Sequence, residues 1–384
     1  MVPGSAMVLL PLAPAGPQTS ADERASPDGR PALQALLPEE LVQVAGGIEL
    51  GEARKLIALV HRGEALPRRS PSEVRRASLD RVRAATQVPE LRLVARTPSA
   101  ADAFVKYALA GVDGAVFEAV KIPLEQPDRV TVCVSSQVGC ALGCVFCATG
   151  RLGLLRNLEA WEIIDQVRMV RRDLPRGVRV HGVVFQGMGE PLANWPQVRQ
   201  AARIMSESSA QAVDARNITV STAGLPAGIR ALGEALPNVR LALSIGSARP
   251  SLRRELIPLE ARHPLASVLV AAGEHARATN LAPLFAYTLL AGKNDTAEDA
   301  IALAAMVKGF AERYGKRPRL TLIPYNSIGG SDPFMRADDA RHACFREKLV
   351  AAGVVPTRRY SGGSDVAAAC GQLAAIGVGS SGAS

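Results

Sequence analysis

Residues 129–150 read RVTVCVSSQVGCALGCVFCATG. An apolar run is followed at once by three cysteines, Cys140, Cys144 and Cys147, spaced C-x3-C-x2-C. RVTVCVSS shows little polar alternation, which predicts a strand buried on both faces. Five further runs of this kind follow: VHGVVFQG, NITVSTAG, VRLALSIG, LAPLFAYTLL and RLTLIPYN. A later stretch, VVPTRRYS, is a shorter candidate. Helical periodicity occupies the intervals near 158–173, 195–209, 225–235, 264–279, 296–314 and 336–352. Alternating strands and helices imply right-handed βαβ crossovers and a parallel sheet. The expected fold class is therefore α/β. Six units are too few to close an eight-fold barrel, so a partial (βα)6 barrel is expected, with an open sheet as the alternative. In both, the reactive site belongs at the carboxyl ends of the strands. The three cysteines lie at the end of the first.

Upstream, residues 91–128 hold short strand-like runs (LRLVAR, AFVKYAL, AVFEAVKIP) that lead into the barrel. Residues 36–90 carry apolar residues at helical spacing and form an N-terminal accessory domain. Residues 1–35, rich in Pro, Ala, Gly and Ser, read as a mobile tail; 129–376 form the barrel and 377–384 a flexible end.

With 48% hydrophobic and 21% charged residues among 384, the chain is neither collagen-like, coiled-coil nor largely disordered. A net charge of +9 favours a polyanionic partner. Aromatic residues make up only 4%, which argues against extensive base stacking. No apolar run approaches the roughly 18 residues of a membrane span. The first basic residue is Arg24, so a secretory signal is not expected and the location reads as cytoplasmic. In a reducing compartment, clustered thiols more often bind metal or do chemistry than form structural disulfides.

Three thiolates on one short loop can hold a metal or an iron–sulfur cluster. Such clusters normally take four thiolates, so with three one iron is left open. Structural zinc wants four closed ligands, and no second Cys pair follows. Chance burial of three cysteines is the remaining reading.

The spacing, with Phe146 just before the last cysteine, resembles the radical S-adenosylmethionine (radical SAM) enzymes. The resemblance implies a [4Fe-4S] cluster whose open iron binds the amino and carboxylate groups of S-adenosylmethionine, in a radical SAM partial barrel. The segments CVSSQVGCALGCVFCATG, RNLEAWEIIDQV, QGMGEPLANW, STAGLP, LIPYN and DVAAACGQLA occur in that order. Together they resemble the RlmN/Cfr subfamily, dual-specificity methyltransferases acting on adenine of 23S rRNA and tRNA. The likeness runs from about residue 36 to 376.

That resemblance implies two S-adenosylmethionine molecules per turnover, a flavodoxin-type electron donor and a monomeric enzyme whose N-terminal lobe helps to grip RNA. Adenine C2 carries no acidic proton, so polar methyl transfer cannot reach it. By resemblance, Cys370 is first methylated and then carries the carbon to C2. Cys133 resolves the resulting protein–RNA adduct, forming a disulfide with Cys370. Glu118 matches the proton-handling glutamate; taken alone, a Glu beside a strand is most often a solvated surface group. Gly189 and Glu190 match the segment that binds the amino group of the cofactor. Ser221, Ser244, Ile245, Gly246 and Asn326 match further contacts to it. The chain departs from the family at Ser244-Ile245-Gly246, where Ser-x-His is usual. An enzyme of this type acting on another RNA, a small molecule or a peptide remains the alternative.

Three further features stand outside the motifs. Cys344, at helical spacing in RHACFREKL, reads as buried packing. The basic stretches HRGEALPRRSPSEVRR and VRMVRRDLPRGVRVH read equally as phosphate contacts or as surface charge. Arg151 and Arg156, next to the cysteine loop, are the better candidates for touching RNA.

Overall fold

A computed structural model describes residues 29–63, 65–329 and 332–374. The last residues of the span expected as a tail, 1–35, are part of the fold. Ala32 pairs with Gln87, and Leu33 and Leu36 are buried, so residues from about 30 onward are docked. Residues 1–28, and the end expected over 377–384, lie outside the described residues.

Three helices come first: α1 (Pro38–Ala45), α2 (Leu50–His61) and α3 (Arg76–Ala85). They enclose a small apolar core of their own, including Leu33, Leu41, Leu56, Val60 and Leu79. Glu40 and Glu52 accept from the backbone N–H three residues earlier, at the helix entries. Glu52 also takes the Arg75 guanidinium and the Ser78 hydroxyl, which holds its carboxyl well below the usual range.

An antiparallel meander follows: β1 (Arg92–Pro98), β2 (Val105–Ala110) and β3 (Val116–Pro123). β3 pairs antiparallel with β4 (Arg129–Val134), the first strand of the parallel part. The remaining parallel strands are β7 (Arg179–Phe185), β8 (Ile218–Thr222), β9 (Arg240–Ser244), β10 (Leu284–Leu289), β11 (Arg319–Pro324) and the short β12 (Thr357–Arg358). The sheet order is β1-β2-β3-β4-β7-β8-β9-β10-β11-β12. Helices α5 (Ala160–Arg172), α6 (Trp195–Ser206), α7 (Pro226–Ala235), α9 (Leu265–Thr279), α10 (Ala297–Tyr314) and α11 (Asp339–Ala351) lie between the parallel strands, as the periodicity predicts.

Two elements were not anticipated. A separate hairpin pairs β5 (Gln137–Cys140) with β6 (Gly153–Asn157), with the short helix α4 (Ala148–Leu152) between them. Helix α8 (Pro250–Leu256) follows β9.

One cavity is lined by Cys133 of β4, Ser221 of β8, Ser244 of β9, Thr288 of β10 and Ile323 of β11. A flat sheet could not bring five strands to one cavity, so the sheet curls into a partial barrel. Its edge strands β1 and β12 do not pair with each other. The C-terminal segment bridges the open seam instead. Asp102, before β2, accepts from Tyr360 Oη (3.0 Å) and from the Gly363 N–H (2.9 Å). Asp365 accepts from Ser99 Oγ (2.8 Å).

Within the basic stretch around α5, Arg168, Arg171 and Arg172 bond inward, while Arg176 and Arg179 stay exposed. Arg168 is fully buried; it donates to Val60 O (3.1 Å) and pairs with Asp165, whose other oxygen accepts from Leu91 N (2.8 Å). Arg172 donates to Gly63 O and to Glu90. These bonds fasten the N-terminal helices to the barrel. In the earlier basic stretch, Arg75 and Arg76 meet Glu52 and Asp80, while Arg68 and Arg69 stay exposed. Cys344 is exposed, contrary to expectation, because α11 turns His342, Phe345 and Leu349 inward. No helix among the described residues is long and apolar enough to cross a membrane.

Candidate active site

The β5–β6 hairpin frames the cysteine loop. Gly139 (φ 78°) lies so close to the backbone of Gly153 that a Cβ would meet its carbonyl oxygen at 1.9 Å, so no side chain fits there. Cys140 ends β5, Cys144 lies in the turn and Cys147 precedes α4. The loop is pinned to α8 by the Val145 N–H on Leu256 O (3.1 Å). All three cysteines line the cavity.

Burial pushes the thiol of Cys140 up to about 12 and that of Cys144 well above its ordinary value, with the neighbouring sulfurs adding to the rise. Burial raises Cys147 too, opposed by N–H groups of Gly150 and Thr149 at the start of α4. Metal coordination reverses this, because a ligating thiol is deprotonated outright. Structural zinc would need four closed ligands, and only three cysteines stand on this loop. Three soft donors on one cavity wall suit an iron–sulfur cluster, which Cys140, Cys144 and Cys147 would hold.

The strand ends supply the rest. Gly189 (φ 100°) would place a Cβ 2.5 Å from the Gln137 side chain, so only glycine threads this turn. Glu190 is buried; Oε1 accepts from Leu192 N (3.0 Å) and Oε2 from Ala223 N (2.9 Å). Burial lifts its carboxyl to about 6 despite these donors. A cation held against it would restore the carboxylate, which suits an ammonium ligand. Ser221 and Ser244 face the cavity from β8 and β9. Asn326 is buried after β11; its Nδ2 donates to Ser361 Oγ (2.7 Å) and Cys370 O (3.3 Å), while its Oδ1 has no protein partner. That orphaned acceptor fits a ligand N–H.

Ile245 is buried and donates its N–H to Ala286 O (2.9 Å). Gly246 adopts φ 68°, its carbonyl accepts from Asn294 Nδ2 (2.8 Å), and a Cβ there would meet Ile257 Cδ1 at 2.7 Å. A histidine at this position would strain the backbone and crowd Ile257. Gly246→His should destabilise the fold by about 2–5 kcal/mol, from left-handed strain plus overpacking against Ile257. Thermal unfolding checks this: an unchanged melting temperature would show that Ile257 yields freely.

Cys370 lies against the cysteine loop. The Ala148 N–H donates to Gly371 O (2.8 Å), and Thr149 Oγ1 donates to Leu373 O (2.5 Å). Cys370 and Cys133 both line the cavity. All six cysteines are free, so the Cys133–Cys370 disulfide implied by resemblance is not formed in this structure. Burial and the neighbouring Cys370 push Cys133 up to about 12; the Arg359 guanidinium and a backbone bond from Gln186 oppose the rise. Among the described residues Arg359 is the only basic side chain lining the cavity, and its Nη1 donates to Gln186 Oε1 (2.8 Å).

Glu118 is fully buried, not a solvated surface group. Its Oε1 meets Lys106 Nζ at 3.1 Å and its Oε2 accepts from Ala374 N (2.9 Å). It stands on β3, beside the strand of Cys133, and anchors the chain just past Cys370; its side chain is not among those lining the cavity. Arg151 turns back to Val145 O (2.9 Å), and Arg156 pairs with Asp113 and Glu162, so neither guanidinium is free for RNA in this conformation.

Sequence reading missed Arg359, Gln186 and Arg253. Arg253 is buried and donates to Ile245 O (3.0 Å) and Ala223 O (2.6 Å) while pairing with Glu260. It ties the ends of β8 and β9 together near Cys144. In RRELIPLE it reads as ordinary helix surface charge, so no local signal marks it.

Residues 134–307 match the family model described as the radical SAM superfamily. A probable RNA methyltransferase, sce3898 of Sorangium cellulosum, is 58% identical over 88% of this chain and 91% of its own length. The dual-specificity RNA methyltransferase RlmN of Anaeromyxobacter dehalogenans is 37% identical over 91% and 93%. The crystal structure of a radical SAM methyltransferase from Sphaerobacter thermophilus superposes with a TM-score of 0.80 at 34% identity, over 90% of this chain and 99% of that one.

Proposed function

Because the chain belongs to the radical SAM RNA methyltransferases of the RlmN type, we propose that it methylates C2 of adenine in structured RNA, with Cys370 as the covalent carrier of the methyl carbon. The bound [4Fe-4S] cluster and S-adenosylmethionine supply one-electron chemistry able to abstract hydrogen from an unactivated carbon. Cys140, Cys144 and Cys147 hold the cluster. Glu190 receives the ammonium of the cofactor, beside Gly189, where the backbone approaches most closely. Ser221, Ser244 and the orphaned Oδ1 of Asn326 take its remaining polar groups, with Ile245 and Gly246 as backbone neighbours.

Cys370 accepts a methyl group, and its activated carbon then adds to adenine C2. Two cofactor molecules are consumed per turnover, one for the methyl and one for the activation. Cys133 attacks the Cys370 sulfur. The S–Cys370 bond to the nucleotide's new carbon breaks, that carbon keeps the electron pair and takes a proton, and the two sulfurs are left as a disulfide. Glu118, buried beside β4, is the candidate for the C2 proton once its bond to Ala374 opens, and the electron that must leave the ring with that proton would pass to the oxidised cluster. The N-terminal helices grip RNA as an accessory domain. 23S rRNA and tRNA are the substrates by relationship, in the cytoplasm, with a flavodoxin-type donor and a monomeric enzyme.

One observation carries this reading. The loop bearing Cys370 is hydrogen-bonded to the loop bearing the cluster ligands, through Ala148 and Thr149, and shares one cavity with Cys133. Anaerobically reconstituted protein should bind about four irons. Incubated with S-adenosylmethionine, a reductant and fragments of 23S rRNA or tRNA, it should yield 2-methyladenosine, and mass spectrometry should find a methyl on Cys370. A fully loaded protein that methylates neither Cys370 nor RNA would overturn the reading.

A further inference from the structure

Few aromatic side chains in this protein are exposed, but one stands at the mouth of the cavity. Tyr360 is 69% exposed and lines the same cavity as Cys133 and Cys370. Arg359, immediately before it, bonds inward to Gln186. The Tyr360 ring does not swing freely. Its hydroxyl donates to Asp102 Oδ2 (3.0 Å), and Asp102 is fixed in turn by the N–H groups of Gly363 (2.9 Å) and Phe104 (3.0 Å). Phe104, buried behind it, packs at 6.1 Å between ring centroids with a 59° tilt. An exposed aromatic normally costs water contact without return. Here one ring edge is tethered and one side backed, while much of the ring surface remains open.

We propose that Tyr360 is the stacking platform that receives an unstacked RNA base at the entrance to the cavity. The inference rests on RNA being the substrate and goes further, by assigning the surface that meets the base. Chemistry on a base requires the nucleotide to leave its helical stack, and proteins compensate by stacking the freed base on an aromatic face. Every base has a π-face, so such a platform needs no sequence-specific donor. The tether to Asp102 fixes the ring plane before binding, so little side-chain freedom is lost when the base arrives. The Asp102 carboxylate at the ring edge disfavours a phosphate at that position, which leaves the base as the occupant. A single platform also agrees with a chain so poor in aromatic residues.

The test uses the cluster-loaded enzyme with S-adenosylmethionine and an RNA stem-loop carrying 2-aminopurine in place of one loop adenine. Binding should quench the 2-aminopurine fluorescence by stacking. Tyr360→Ala should weaken binding about 5- to 150-fold and change the bound-state fluorescence. Tyr360→Phe and Tyr360→Trp, which keep a flat face, should bind within a few-fold of the parent. Iron content and melting temperature confirm that each variant is intact. Parent protein that binds the stem-loop, with Tyr360→Ala matching it in affinity and fluorescence, overturns the platform alone. Tyr360→Phe failing as badly as Tyr360→Ala also overturns it, because the hydroxyl and not the ring face would then matter. Parent protein that neither binds nor methylates RNA overturns the substrate reading and the platform with it.

Discussion

Cys370→Ala should lower methyl transfer to RNA by at least about 10³-fold while leaving the protein folded and able to bind its cluster. The size of the effect follows from the role: a covalent carrier has no partial substitute. Cys133 cannot take over, because it stands on a strand with its thiol buried, whereas Cys370 lies on a loop. Little in the fold depends on the Cys370 thiol. The bonds that fix its loop run through the carbonyls of Gly371, Leu373 and Cys370 itself, all of which alanine keeps. The stability change should therefore stay within about 1 kcal/mol. Iron content and the spectral response to S-adenosylmethionine should match the parent. This combination separates loss of a carrier from loss of the site. Cys140→Ala, by contrast, should lose iron and activity together. A Cys370→Ala protein that still forms 2-methyladenosine would end the carrier hypothesis.

The parallel strands were legible because burial on both faces leaves an unbroken apolar run, and the helices between them because one face is apolar at 3.6-residue spacing. The cysteine spacing likewise shows in the sequence, because cluster ligands on one loop are local. What could not be read is non-local. β5 and β6 are too short to show a period, and they pair only because Gly139 and Gly153 let two backbones touch. The arginines of VRMVRRDLPRG carry the composition of an anion-binding surface, yet Arg168 is fully buried against the N-terminal helices. Net charge cannot reveal which guanidinium has an internal partner. Cys344 was misplaced for a related reason: position 344 falls just off the stripe formed by His342, Phe345 and Leu349. Sequence can mark Glu118 as a carboxylate near the chemistry, but its pairing with Lys106 and Ala374 depends on chain segments 256 residues apart meeting at the seam.

Cys133→Ala should leave RNA covalently attached to the protein. If Cys370 carries the carbon to the base, the adduct forms without help from Cys133 and only its release fails. The expected product is a protein band shifted by the mass of the RNA, resistant to denaturant and removed by nuclease, with free 2-methyladenosine reduced by at least about 10²-fold. The structure gives this prediction a second readout. Burial, the main cause of a Cys133 value of about 12 beside a free Cys370, still holds the thiol high in the adduct, so near neutral pH it is almost entirely protonated. The thiolate is the nucleophile. Release from the parent enzyme should therefore speed up by about tenfold per pH unit between pH 7 and 9, where the thiolate fraction rises in that proportion. In Cys133→Ala the slow residual release should show no such slope. Arg359 is the cation that favours the thiolate, so Arg359→Met should slow release at every pH in that window without slowing adduct formation. A Cys133→Ala protein recovered free of RNA but still forming methylated product would show that another group breaks the bond, and the pairing of Cys133 with Cys370 would then be structural.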